Sequence, residues 1–81
     1  MLREFELIVL QQTCVGLHMS KAMRVSEHAI IKRFPGAERE AKKALHKLVT
    51  QGYVGMHPTR SEMTYQMTQM GWEECRRMKE Q

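Results

Sequence analysis

Eighty-one residues, 42% of them hydrophobic and with a net charge of +4, fit a single small domain (1–81), whose chain buries only about 60% of the surface its unfolded form exposes. The longest apolar run, Leu7 to Leu10, is far too short to span a membrane, and Glu4 and Glu6 interrupt anything resembling a secretory signal; a cytoplasmic location is expected. Cys14 and Cys75 form no CxxC pair and the four histidines are scattered, so the closely spaced ligands of a zinc site are missing; no metal or cofactor is expected, and the two thiols read as reduced and largely buried.

In chain order, Met1 to Leu17 reads as a helix. Leu2, Phe5, Ile8, Val9 and Cys14 supply an apolar face, while Glu4, Glu6, Gln11 and Gln12 fill the others. The β-branched pair Ile8-Val9 leaves a strand open, and Gly16 is a plausible stop. This apolar face reads first as core, with a dimer contact as the other reading. His18 to Val25 is a connector in which Met23-Arg24-Val25 could form a short strand. Ser26 then has the chemistry of a helix cap, its hydroxyl accepting from a free N–H of the first turn, with Glu27 favouring the positive helix end. That helix carries Ala29, Ile30 and Phe34 inward and ends near Arg33, because Pro35 biases Phe34 away from helical angles.

Pro35-Gly36 gives the short break a helix-turn-helix requires. The next helix, about 37–51, has Ala41, Ala44, Leu45, Leu48 and Val49 at three- and four-residue steps on one buried stripe. Glu38, Arg39, Lys42, Lys43 and His46 occupy the other side, where Glu38 and Lys42 are spaced for an ion pair. Gly52 ends the helix through the left-handed conformation open to glycine. Two β runs follow, Tyr53 to His57 and Met63 to Met67, the second alternating apolar and polar residues. The polar segment Pro58 to Glu62, with Arg60 at its centre, is the hairpin tip. Thr68 reads as a second cap, leading a helix from about Gln69 to Lys79. Trp72, Cys75 and Met78 are three apart on it and form an apolar stripe, and Glu73 and Arg77 are spaced for an ion pair.

Charge singles out the middle of the chain. From Lys21 to Lys47 there are eight lysines and arginines against three acids, while the remainder holds five against six. Such a block suits a polyanion, with a solvated surface as the alternative. No catalytic constellation can be assembled from the scattered histidines and carboxylates, so the chain is not expected to be an enzyme. A major groove about 12 Å wide admits a helix whose long side chains reach base edges. Arg39 is the candidate for base contact, because its fork fits guanine O6 and N7. Lys42 and Lys43 suit phosphates, which position a protein without reading sequence. His46 shares the face, Lys32 and Arg33 serve the flank, and Arg60 suits a minor groove, where negative potential attracts arginine.

Several segments together resemble the winged-helix family of prokaryotic transcription regulators: the Ser26-to-Phe34 helix, the Pro35-Gly36 turn, the run from Ala41 to Val54, and Tyr65-Gln66-Met67-Thr68-Gln69-Met70-Gly71. The last is similar to the family's Tyr-x-Leu-Thr-x-x-Gly exit from the wing, with Met67 in place of leucine. The match covers about residues 24 to 75. It implies a mainly α fold with a small β hairpin (α+β), a three-helix core, a wing at about 57–63, a C-terminal helix, and often a homodimer through the terminal helices. The sequence departs from that pattern in placing Glu38 and Glu40 on either side of Arg39, an arrangement compatible with glutamate accepting from cytosine N4 or with a winged helix that binds protein instead.

The resulting expectation is sequence-specific binding of double-stranded DNA by a homodimeric transcriptional regulator, with Trp72, Cys75 and Met78 at the dimer interface. The alternative is a winged-helix protein-interaction module, or a subunit of a larger complex, without DNA specificity of its own. No small-molecule effector can be inferred. A redox pair of Cys14 and Cys75 is a further idea, requiring the terminal helices to bring their Cα atoms within about 7 Å.

Overall fold

Helix α3 (Glu38–Thr50) packs on three neighbours: α1 (Glu4–Gly16), α2 (Glu27–Ile31) and strand β2 (Val54–Pro58). The structure is a computed structural model, which describes residues 2–16 and 24–79, without the side chains of Gly16 and Lys79. Strands β1 (Val25–Ser26) and β3 (Met63–Met67) and helix α4 (Gln69–Lys79) complete the described elements. The architecture is α+β, with four helices and a three-stranded antiparallel sheet among the described residues. The segment 17–23, which holds most of the expected connector and its Met23, lies outside them.

The local signals in the sequence account for most element ends. Ser26 Oγ accepts from Ala29 N–H at 3.1 Å, which caps α2. Gly36 and Gly52 both sit at positive φ, +81° and +87°. At Gly52 the chain closes α3 in a Schellman arrangement: Gly52 N–H donates to Val49 O at 3.1 Å and Tyr53 N–H to Leu48 O at 2.9 Å. Thr68 caps α4, its hydroxyl accepting from Gly71 N–H at 3.1 Å and donating to Gly52 O at 2.6 Å. One threonine thus fastens the start of α4 to the end of α3. Gly71 is where α4 meets the hairpin: a Cβ there would run into Tyr53 O and the sulfur of Met67. The threonine and glycine of the Tyr-x-Met-Thr-x-x-Gly segment therefore have separate jobs, a cap and a close approach.

The short strand offered around Met23-Arg24-Val25 is present among the described residues as β1, and it joins the hairpin in one sheet. β3 is central, in the order β1-β3-β2, with Val25 opposite Tyr65 and Val54 opposite Met67. β2 begins one residue later than predicted, at Val54, because Tyr53 is used in closing α3.

The core gathers Val9, Leu10 and Cys14 of α1, Ile30 of α2, the α3 stripe Ala41, Ala44, Leu45 and Leu48, then Val54, Tyr65, Met67, Trp72 and Cys75. On α1 the buried face is rotated from the expected one. Leu10 and Thr13 are fully buried and Ile8 is 41% exposed. The predicted helix is apolar nearly all round from Leu7 to Leu10, so periodicity alone could not choose its inner face. Thr13 is tolerated inside because its hydroxyl donates to Val9 O at 2.8 Å. Phe5 meets Phe34 edge to face, with ring centroids 5.6 Å apart.

The expectation of two separate reduced thiols is corrected. Both cysteines are buried, but α1 and α4 pack together and bring them into a disulfide, with Cα atoms 6.8 Å apart.

Candidate nucleic-acid interface

The exposed side of α3 divides into a centre and two flanks. With 3.6 residues per turn, Arg39, Lys43, His46 and Thr50 recur at four- and three-residue steps and lie opposite the buried stripe; all four are exposed. Among the described residues, neither Arg39 nor Lys43 has a carboxylate partner. Glu38 and Glu40 fall to either side of this line, so the acids next to Arg39 in sequence do not share its face.

The flanks are neutralised. On one side Lys42 Nζ lies 3.6 Å from Glu27 Oε1. On the other Lys47 Nζ lies 3.7 Å from Glu6 Oε2. The Glu38–Lys42 pair expected from helical spacing is thus corrected: the lysine turns to α2. Glu27 is the better partner because it is half-buried and already held, its other oxygen accepting from Tyr65 O–H at 2.6 Å. A fixed, partly desolvated carboxylate attracts a cation more strongly than a mobile surface one. Glu6 is held in the same way, its Oε1 accepting from Arg3 N–H at 2.9 Å. On α4 the expected Glu73–Arg77 pair is replaced likewise: Arg77 donates to Glu74 at 3.0 Å, and Glu73 accepts from Gln69 at 3.1 Å.

The remaining predicted contacts are spread over other elements. Lys32 is exposed at the C-terminal cap of α2. Arg33 is exposed but partly engaged, donating to Gln12 Oε1 of α1 at 3.1 Å. Arg60 is exposed at the hairpin tip, in a turn closed by Thr59 N–H donating to Glu62 O at 2.8 Å; a five-residue strand puts that tip about 16 Å from the start of β2. Lys21, part of the basic block, lies outside the described residues.

The stripe assigned to a dimer interface is used inside the chain. Trp72 and Cys75 are 3% and 5% exposed and belong to the core, and Met78 is half-buried against it. The spacing of an apolar stripe does not say whether it meets the same chain or another. The Trp72 indole N–H is buried without a hydrogen-bond partner among the described residues.

Glu6, Glu27 and Tyr65 escaped the sequence reading as parts of this site. Glu27 was visible only as a complement to its helix end. Its bond to Tyr65 depends on β1 pairing with β3, and nothing local signals that. Burial, together with the hydrogen bond to the Glu27 carboxylate, pushes the Tyr65 phenol well above its ordinary value of about 10. The folded state therefore favours the neutral phenol. Its contribution is complete below pH about 10 and is lost as pH rises above that, where the unfolded chain releases the proton first. The expected cost approaches about 1.4 kcal/mol per pH unit from this group. Urea unfolding at pH 9, 10 and 11 checks it: a Tyr65→Phe variant that declines as steeply as the parent would refute the assignment.

No protein-family model matches the sequence, and no curated protein matches it. In three dimensions the chain is similar to the structure of the type III plasmid segregation protein TubR, with a TM-score of 0.71 and 11% identity over 100% of this chain and 90% of that one. A TubR mutant gives a TM-score of 0.65 and 13% identity over 99% and 95%. At such identities the similarity establishes a shared fold.

Proposed function

We propose that this chain is a winged-helix protein that binds double-stranded DNA, with α3 in the major groove and the β2–β3 hairpin, through Arg60, on the minor groove or backbone. The observation that carries the reading is the exposed line Arg39, Lys43 and His46 on α3, whose two strong cations have no carboxylate partner among the described residues. The proposed role is one of binding without catalysis, in the cytoplasm. The fold shared with a plasmid segregation protein supports work on DNA, since what is segregated is a DNA molecule. It favours DNA segregation beside the transcriptional regulation that the sequence suggests.

The test is a binding titration on random duplex at several salt concentrations, followed by selection of preferred sites. Affinity should fall with salt at a slope of about 0.9 per phosphate contacted. Arg39→Ala should cost about 1–3 kcal/mol on a selected site and relax preference at one base pair. Lys43→Ala should weaken binding to every sequence alike and flatten the salt slope by about one contact. Binding indifferent to salt would overturn the reading, and unchanged base preference in Arg39→Ala would remove that residue from base contact.

A homodimer remains part of the proposal, with half-sites about one helical turn apart. Since Trp72 and Cys75 are taken up by the core, the contact would draw on Ile8 and Val15, which stand exposed seven residues apart on α1. The protein-interaction alternative draws on the same two side chains. Light scattering with and without duplex separates them: a monomer in both conditions removes the homodimer.

A further inference from the structure

We propose that Glu27 and Glu6 are positioning residues that confine the positive charge of α3 to its central line, holding Lys42 and Lys47 away from phosphate and so limiting affinity for DNA. The inference rests on the DNA-binding reading and extends it.

Both carboxylates are built alike. Each has one oxygen on a fixed donor of the fold and the other on a lysine of α3. For Glu27 these are the hydroxyl of Tyr65, itself fully buried, and Lys42; for Glu6 they are Arg3 N–H and Lys47. To follow its lysine outward, either carboxylate would have to give up the hydrogen bond on its other oxygen. Glu6 is 9% exposed as a residue, and the Glu27 side chain is 21% exposed against 54% for that of Lys42. A phosphate that took either lysine would leave behind a poorly solvated carboxylate without its cation, a costly state.

The position of the two pairs gives this its consequence. A helix seated in a major groove turns its centre to the base edges, from where a long lysine still reaches the backbone, and its flanks to the phosphate walls. On α3 the centre carries Arg39, Lys43 and His46, and the flanks carry the two neutralised lysines. Nonspecific affinity comes almost wholly from lysine and arginine on phosphate. A reader whose flanks are neutralised is therefore held less firmly by arbitrary DNA than its count of basic residues suggests.

Glu27→Gln tests this in the full chain. Glutamine keeps an oxygen for the Tyr65 hydroxyl, so the variant should fold, and matching helical content in circular dichroism confirms that it does. The release of Lys42 should steepen the slope of log affinity against log salt by about 0.9 and raise affinity for random duplex on the order of eight-fold at 0.1 M salt, the counterion-release factor for one phosphate. Glu73→Gln, which changes net charge equally but touches no lysine of α3, should leave the slope alone. The decisive readout is a double-mutant cycle: Lys42→Ala should change binding less than two-fold in the parent and close to eight-fold in the Glu27→Gln background. Equal effects in both backgrounds, or an unaltered slope in Glu27→Gln beside a parent with the expected salt dependence, would overturn the role of Glu27. A parent whose binding ignores salt would instead overturn the DNA reading, and this inference with it. Glu6→Gln with Lys47→Ala repeats the cycle on the other flank.

Discussion

Reducing the Cys14–Cys75 disulfide is expected to lower the stability of the chain by about 4 kcal/mol. The bond joins residues 61 apart in a chain of 81, so it closes most of the molecule into one loop, and in the chain-entropy account a cross-link stabilises by restricting the unfolded state, more for longer loops. An 81-residue domain has roughly 4–12 kcal/mol in hand, so this one bond supplies a large share. The folded state can tolerate the reduced form: Cys75 Sγ lies 3.8 Å from Leu10 O, within reach as a thiol donor. Urea unfolding with and without dithiothreitol measures the effect, and Cys14→Ala in reducing buffer should match the reduced parent. Equal midpoints in the two buffers would refute the prediction, as would two free thiols by mass spectrometry after air oxidation. In a cytoplasm, where thiols are generally kept reduced, the protein would work near the lower of the two stabilities.

Gly71→Ala is expected to cost about 3 kcal/mol, the upper end of the range for overpacking. The added Cβ meets Tyr53 O and the sulfur of Met67. The sulfur can move, but the carbonyl cannot easily follow. Tyr53 is fixed on both sides, its N–H to Leu48 O at 2.9 Å and its O accepting from Thr68 N–H at 3.3 Å. Relief would require α4 to lift off the hairpin, taking Trp72 and Cys75 with it. Gly36→Ala makes the comparison: there a Cβ meets nothing within 4 Å, and only the positive φ of +81° is at stake, worth about 1–2 kcal/mol. Thermal melts of the two variants should therefore rank Gly71→Ala well below Gly36→Ala. The opposite ranking would show that conformational strain, not close approach, sets the need for glycine.

What could be read from the sequence was whatever is decided within a few residues. The span Gln69–Lys79 of α4, the Ser26 and Thr68 caps and the left-handed stop at Gly52 were all legible, because a cap or a glycine acts on its own turn. The α3 stripe was legible too, since Ala41, Ala44, Leu45 and Leu48 alternate cleanly with charge. On α1 that contrast is missing, and the choice between Ile8 and Leu10 fell to what α3 and α4 present to it. Ion pairs failed for a related reason. Helical spacing brings Glu38 near Lys42, but a buried tyrosine holds Glu27 ready, and the tertiary partner wins. For the candidate site, the sequence marked the basic side chains of α3 without showing which of them the fold had already neutralised.

The order β1-β3-β2 also bears on the sequence of events in folding. β2 and β3 are joined by a short turn and can pair early, since closing a short loop loses little chain entropy. β1 has only two residues and must find Tyr65 and Thr64 across the whole of α2, α3 and the hairpin. Its pairing closes a far longer loop and is expected to follow that of the hairpin. The Tyr65–Glu27–Lys42 chain joins β3, α2 and α3, so the electrostatic finish of the α3 surface needs all three elements in place and belongs to the assembled fold, not to the helix alone.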